Sequence, residues 1–554
     1  MTRISRIGIV ALASAIVLGA APAGSETAGV VFDDANANGV RDAHERGRAG
    51  IAVTNGRDVV RTDADGRYAL PDGGAGFVSL TCPSDARCPA LFHRGAGDFA
   101  LVRQADERGF FFIHVSDVHA YPSVEDMAGL LPSDGLPWWL PRNLVGWFLL
   151  GSLEDFYPHH SPEKIVGDLR AAVAAHHDVA GRWDSTVMMD YVDLALDPES
   201  GLVRPGIEIP RAFAEIEALA PRFVVSTGDM VLEGNSGDAE AVERWYAYYT
   251  GVAEATGLVI HETIGNNELA GTANGEFPPT DPRYGKALFR EHFGPTHYSF
   301  DVGPFHFVAI DTHRREFEPG EEEEWSFNDM EPDVRAWLDA DLAAALGRVI
   351  VALNHEPFHD DPVWEFDDFE TADDEGLFAK HGVAYSLAGH IHRNGFQDAP
   401  PGGGVTHITT GALSGFRWSL PTSFDSRGYR LFYAREGALY SAWKEVGQPL
   451  LGFVDPRGDA RNHPASTHAA HPGELKGDVT VVAVAADVAG PFADVALRLG
   501  DEPVETARWG DYFVHARIPA DRIPAGGTAL VLVATGHDGG SHESRLDVSR
   551  AAVD

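Results

Sequence analysis

Phe111-Phe112-Ile113-His114-Val115-Ser116-Asp117-Val118-His119 sets an apolar, strand-like run directly against an Asp-x-His pair. In an extended or turning segment, residues i and i+2 reach the same side, so Asp117 and His119 can share one cation. Four further strand ends repeat the arrangement. Phe223 to Ser226 is followed by Thr227-Gly228-Asp229, and Leu258 to Ile264 leads into Gly265-Asn266-Asn267-Glu268. Val349 to Leu353 ends in Asn354-His355-Glu356, and Tyr385 to Ala388 ends in Gly389-His390-Ile391-His392. Strand-like runs alternate with helical segments from Phe110 to about Trp443, which indicates an α/β domain. Sites in open α/β sheets form beyond the carboxyl ends of strands. Each end here presents Asp, Asn or His. Oxygen and imidazole donors without thiolate suit Mn, Fe, Zn or Mg. Gly228, Gly265 and Gly389 permit close backbone approach. One such pattern is an ordinary turn; five in order, each after a strand, are not.

In this order the motifs resemble the calcineurin-like metallophosphoesterase superfamily, whose signature is Asp-x-His, Gly-Asp, Gly-Asn-His-Asp/Glu, a lone His and Gly-His-x-His. The resemblance implies a four-layer α/β/β/α core with two divalent or trivalent metal ions. One ion would take Asp117, His119, Asp229 and His392. The other would take Asp229, Asn266, His355 and His390, with Asp229 bridging. It also implies phosphoester hydrolysis by a hydroxide generated between the two ions. Three departures stand out. Asn267 occupies the position of the family's phosphate-holding His, and an amide cannot supply a proton near neutral pH. Leu232 and Glu233 stand where purple acid phosphatases have Tyr and protein serine/threonine phosphatases have Arg, which disfavours both subfamilies. Asp117 and Asp229 also lie much further apart than a βαβ crossover needs. The expected roles are therefore transition-state hydrogen bonding by Asn267, positive charge from Arg393 or Arg417, and a substitute acid in His359. The expected substrate is a phosphodiester or another ester with a good leaving group. The other reading is a cell-surface binding protein whose phosphoesterase core has weakened catalysis.

The flanks read as two small β-sandwich domains, with turns at Asn55-Gly56 and Asp65-Gly66 in the first. The expected organisation is a signal peptide at 1–23, a β-sandwich at 24–105, the phosphoesterase domain at 106–446, a linker at 447–474 and a second sandwich at 475–554. An insertion at 121–206 carries Leu136-Pro137-Trp138-Trp139-Leu140-Pro141 and Val145-Gly146-Trp147-Phe148-Leu149-Leu150. It offers a cap over the site, a membrane or cell-envelope contact, or simply its own helical core. In the first sandwich, Asp34, Asn36, Asn38, Val40 (through its carbonyl), Asp42 and Glu45 have the spacing of a calcium loop, with Gly39 at the sharp turn. The segment around that loop resembles calcium-binding B-type sandwich repeats of bacterial surface proteins. Both flanks together resemble a secreted subgroup of the superfamily.

The 554-residue chain is 44% hydrophobic, which excludes wholesale disorder. Its 43 Lys and Arg against 83 Asp and Glu give a net charge of −40. Such a surface repels phosphate backbones, so no general nucleic-acid binding is expected. Arg3 and Arg6, the apolar run Ile7 to Ala21 and then Ala21-Pro22-Ala23 read as an export signal cleaved near Ala23, hence a secreted or periplasmic enzyme. Export would favour a Cys82–Cys88 disulfide.

Overall fold

The computed structural model describes residues 27–122, 209–358, 372–414, 427–455 and 474–550, apart from short stretches within these ranges, the longest being 273–277 and 317–323. The two-residue alternation of the strand Gly109–Val115 sets the layers. Phe110 and Phe112 face Phe223, Phe305 and Phe307. Ile113 and Val115 face the opposite way, toward Phe213, Ile216 and Tyr249 of the covering helices.

Two sheets therefore pack face to face. The first runs in the order Ile260–Glu262, Val224–Ser226, Gly109–Val115, Gly428–Arg435, Ala438–Glu445. The second runs Tyr298–Val302, Phe305–Ala309, Val349–Leu353, Val383–Ala388, Thr406–Thr409, Gly395–Gln397. The layer between them is aromatic, with Phe112 stacked on Phe223 at 5.0 Å and on Phe432 at 4.8 Å. Helices Ile209–Leu219 and Ala239–Thr256 cover the outer face of the first sheet. The outer face of the second packs on Trp337 and Leu338 of helix Pro332–Ala344 and on Phe378 of Ala372–His381. The core is thus four layers, α/β/β/α. Gly109–Val115, Val224–Ser226 and Ile260–Glu262 are mutually parallel, as are Phe305–Ala309, Val349–Leu353 and Val383–Ala388. The carboxyl ends of both sets gather at one edge of the double sheet.

The N-terminal sandwich pairs a sheet built on Thr27–Asp33 with one built on Ala52–Thr54, around Val31, Val53, Leu80, Phe99 and Leu101. Cys82 and Cys88 are disulfide-bonded. This module is joined to the core where the amide of Asp301 donates to the Cys82 carbonyl at 2.8 Å, and where the hydroxyls of Thr81 and Ser299 meet at 2.9 Å. The C-terminal sandwich lies on the first sheet, with Tyr512 against Phe111 at 4.9 Å and Trp509 stacked on Tyr433 at 5.7 Å.

One expected boundary moves. Leu450–Asp455 lies inside the stretch read as a linker, yet it is a strand paired antiparallel with Val479–Asp487. Leu450-Leu451-Gly452-Phe453-Val454 is apolar, and Phe453 is fully buried in the sandwich core. The apolar run outweighs the polar composition that follows it. Among the described residues, no helix is long and apolar enough to cross a membrane.

Candidate metal centre

The seven residues expected to bind metal meet at the shared strand edge. Ligand atoms of Asp117, His119, Asp229 and His392 lie within 4.8 Å of one another, as do those of Asp229, His355 and His390. Nε2 of His392 stands 3.1 Å from Oδ1 of Asp117 and 3.1 Å from Nε2 of His119. Oδ1 of Asn266 completes the second group, 3.1 Å from Nε2 of His355 and 3.0 Å from Nδ1 of His390. Asp229 belongs to both. Its Oδ1 is 3.3 Å from His355 Nε2 and its Oδ2 is 4.0 Å from His119 Nε2. One carboxylate thus turns one oxygen to each group.

The backbone is forced to make this arrangement. Asp117, His119, Asp229, His390 and His392 have φ between 46° and 65°, the left-handed region that side chains with a Cβ avoid. Among the described residues only eight non-glycine residues do so, and five of them are here. Strain concentrated this way marks a place where surrounding structure dictates side-chain direction. Two glycines are required by close approach. A Cβ on Gly228 would lie 2.5 Å from Nδ1 of His355, and one on Gly389 would collide with the Ser116 hydroxyl and lie 2.5 Å from Oδ2 of Asp117.

The electrostatics favour cations. Burial, then the neighbouring His392, pushes His119 down to about 4, so its imidazole is neutral with a lone pair to give. Burial alone would raise Asp229, but His355 and then His119 bring it down to about 2. Burial would likewise lower His355, yet Asp229, Glu356 and Asp117 lift it well above its ordinary value. The carboxylates therefore draw positive charge into the site. A set of two carboxylates, four imidazoles and one amide oxygen, buried except for the half-buried His390 and Asn266 and divided into two groups by a shared Asp, fits two hard or borderline cations.

Glu268 organises the loop beneath. Its buried carboxylate accepts from the amides of Gly265, Asp229 and Met230, each at 2.8 Å, and of Val231 at 3.2 Å. Burial and the charge of Asp229 push it up to about 7, with the amides pulling the other way. Asn267 is buried rather than open to solvent. Its backbone amide donates to Oδ1 of Asp229 at 2.9 Å, and its Nδ2 donates to Oδ2 at 3.1 Å and lies 3.3 Å from His119 Nδ1.

Two family models match the chain. One, for the calcineurin-like phosphoesterases, covers residues 207–394, and one for the N-terminal domain of calcineurin-like phosphoesterases covers residues 35–108. The central domain is a calcineurin-like phosphoesterase. Similar solved structures include a dimetal phosphatase from Danio rerio, with 17% identity over 60% of this chain and 95% of that one, at a TM-score of 0.34. A purple acid phosphatase from yellow lupin (Lupinus luteus) is 12% identical over 72% of this chain and 67% of its own, also at 0.34. GAP50, the anchor in the inner membrane complex of Plasmodium, is 12% identical over 61% and 85%, at 0.29. No curated protein sequence matches.

Several expected features of this phosphoesterase lie outside the described residues: the export signal, the insertion beyond residue 122, and His359, Arg393 and Arg417. The loop expected to bind calcium is described. Asp34 and Glu45 are buried, and both hold loop amides. Asp34 accepts from Asn38 and Gly39 at 3.3 and 2.8 Å, and Glu45 from Ala35 and Asp42 at 2.8 and 2.9 Å. The side-chain amides of Asn36 and Asn38 donate to Asp42 at 2.8 and 3.3 Å. Among the carboxylates and imidazoles of this loop, Asp42, His44 and Glu45 lie close enough to share an ion, so His44 joins a set in which the spacing had not placed it. The sequence reading also passed over His313. Its only signal was a further Asp-x-His after a strand, Asp311-Thr312-His313 following Phe305–Ala309.

Proposed function

We propose that the chain is an exported phosphoesterase that acts on phosphodiesters or other esters with good leaving groups. The observation that carries this reading is Asn267, buried against the shared Asp229 where the family has a histidine. When bound, two cations lower the pKa of a water and neutralise developing phosphoryl charge. Asp117, His119, Asp229 and His392 would hold one; Asp229, Asn266, His355 and His390 would hold the other. The chain's own residues do the rest. Glu268 keeps the Asp229 loop in place, and burial keeps His119 unprotonated. Asn267 Nδ2 steadies Asp229 and donates hydrogen bonds, but it holds no transferable proton. An alkoxide leaving group therefore lacks the help of that position, while an acidic leaving group does not need it. The Cys82–Cys88 bridge and the basic, apolar start of the chain support export. A membrane or cell-envelope contact through the Trp-rich insertion belongs to the same reading.

The test compares kcat/KM for an alkyl monoester and an aryl diester in the native protein and in Asn267→His. General-acid help is worth ~10²–10⁴. The variant is expected to gain most of that on the alkyl monoester and little on the aryl diester. A native enzyme that already cleaves alkyl monoesters as fast as aryl diesters would remove the substrate assignment.

Calcium in the N-terminal loop belongs to this proposal too, as a structural ion. Binding to the folded loop alone stabilises it by about 2.7 kcal/mol at a hundredfold excess over Kd. Calorimetry of the whole protein is expected to show a transition that rises with calcium and returns with chelator. An unchanged trace would make the loop an acidic turn held by its own amides.

A further inference from the structure

Behind His355 runs a line of buried charge that contributes no ligand to either group. Glu356, the next residue, is fully buried. Its Oε1 accepts from Nε2 of His313 at 2.7 Å and its Oε2 from the Thr312 hydroxyl at 2.5 Å. Nδ1 of His313 stands 3.6 Å from Oδ1 of Asp311, whose Oδ2 accepts from Nζ of Lys286 at 2.7 Å. Lys286 also donates to the His313 carbonyl at 2.5 Å. Glu356 and His313 are 0% exposed, Asp311 1% and Lys286 7%. The signs alternate along the chain: Lys286 plus, Asp311 minus, His313 plus, Glu356 minus. Burial would lower His313, but Glu356 and Asp311 lift it to about 9, so the imidazole carries its proton through neutral pH.

The other neighbour of His355 is tied down as well. Nδ2 of Asn354 donates to the Glu356 carbonyl at 2.6 Å, and its Oδ1 accepts from the Ser386 hydroxyl at 2.9 Å. His355 thus sits in a turn anchored on both sides. Its Nδ1 donates to the Thr227 carbonyl at 2.6 Å, which leaves Nε2 facing Asp229 and Asn266. Stability alone is a weak reason for such a chain. A buried ionic network often gives way to apolar residues of similar volume with no loss of stability. Partners standing behind a metal ligand, by contrast, orient it and tune its basicity.

We propose that Glu356, held by His313 and Thr312, is the positioning residue of the His355 half of the centre. The chain Lys286–Asp311–His313–Glu356 sets the affinity of the Asp229, Asn266, His355 and His390 group for its cation, without acting on the Asp117, His119 and His392 side. This rests on the two-cation reading above.

The experiment is Mn²⁺ titration calorimetry of chelator-stripped protein, native and with His313→Gln, Glu356→Gln or both, alongside thermal melting. Asp117→Asn, which removes the charge of a ligand of the other group and so weakens that group's hold on its cation, identifies the two binding events. The native protein is expected to show two events. His313→Gln should weaken only the one that Asp117→Asn spares, by about 10–100-fold. Glu356→Gln keeps the shape of the side chain and carries the same test if His313→Gln does not fold. The double variant should lose less than the product of the two single losses, because the two residues act as one pair. Equal weakening of both events in step with a lower Tm would make the chain purely structural and overturn the inference, as would two unchanged events. Fewer than two events in the native protein would instead remove the two-cation reading itself.

Discussion

Asp229→Asn is expected to strip both halves of the metal centre at once and to lower kcat/KM by at least about 10³-fold. The reason is its shared position, with Oδ1 beside His355 and Oδ2 on the His119 side. Asparagine keeps the shape but removes the charge, and only one of its two terminal atoms can ligate a cation. Two-metal assistance is worth several kcal/mol, and each 1.36 kcal/mol is tenfold in rate. Metal analysis of the purified variant, with assay on an aryl phosphodiester, reads both effects. His392→Asn is the comparison. It removes a ligand from one group only and should leave the other cation in place. A variant at 229 that retains two ions and native turnover would mean that this carboxylate bridges nothing.

Glu268→Ala is expected to leave the protein unfolded or insoluble, although Glu268 is not among the ligands. Its carboxylate collects four amides from the Gly265 turn and the Asp229 loop. Alanine would leave four buried N–H groups with no acceptor, at about 1–3 kcal/mol each. Their sum approaches the 5–15 kcal/mol that typically holds a domain folded. Glu268→Gln retains one acceptor oxygen but turns an NH₂ toward some of the same donors. It should fold with a lower Tm and bind Mn²⁺ more weakly at both positions, because the displaced loop carries Asp229. Melting curves and metal titration distinguish the two variants. An alanine variant that melts within a degree or two of the native protein would show that water or neighbouring groups satisfy these amides.

Much of the centre is visible in the sequence because local geometry supplies it. A buried parallel strand must be apolar, the turn after it must place its polar groups somewhere, and residues two apart reach the same side. That rule places Asp, Asn or His at five strand ends, and the resemblance to the calcineurin-like signature then singles out Asp117, His119, Asp229, Asn266, His355, His390 and His392 among them. The covering sandwiches follow from short alternating runs between glycine turns. The strand Leu450–Asp455 was readable on the same grounds, as an apolar run, but the polar residues after it dominated the composition of the whole segment.

What the rule does not settle is which strand end faces which. Asp117-Val118-His119 and Asp311-Thr312-His313 are spelled alike, and both follow an apolar strand. The first lies at the edge where the two sheets meet, and its backbone is held at positive φ so that Asp and His point into the centre. The second lies farther along the second sheet, where His313 meets Glu356 and Asp311 meets Lys286 in a buried ion chain. Residue type and spacing determine that both can bind charge. Only the tertiary structure decides that one ligates while the other holds a ligand in place: packing of the two sheets gathers the first into the centre, whereas pairing of Phe305–Ala309 with Val349–Leu353 inside the second sheet brings His313 to within 3 Å of Glu356, more than forty positions away.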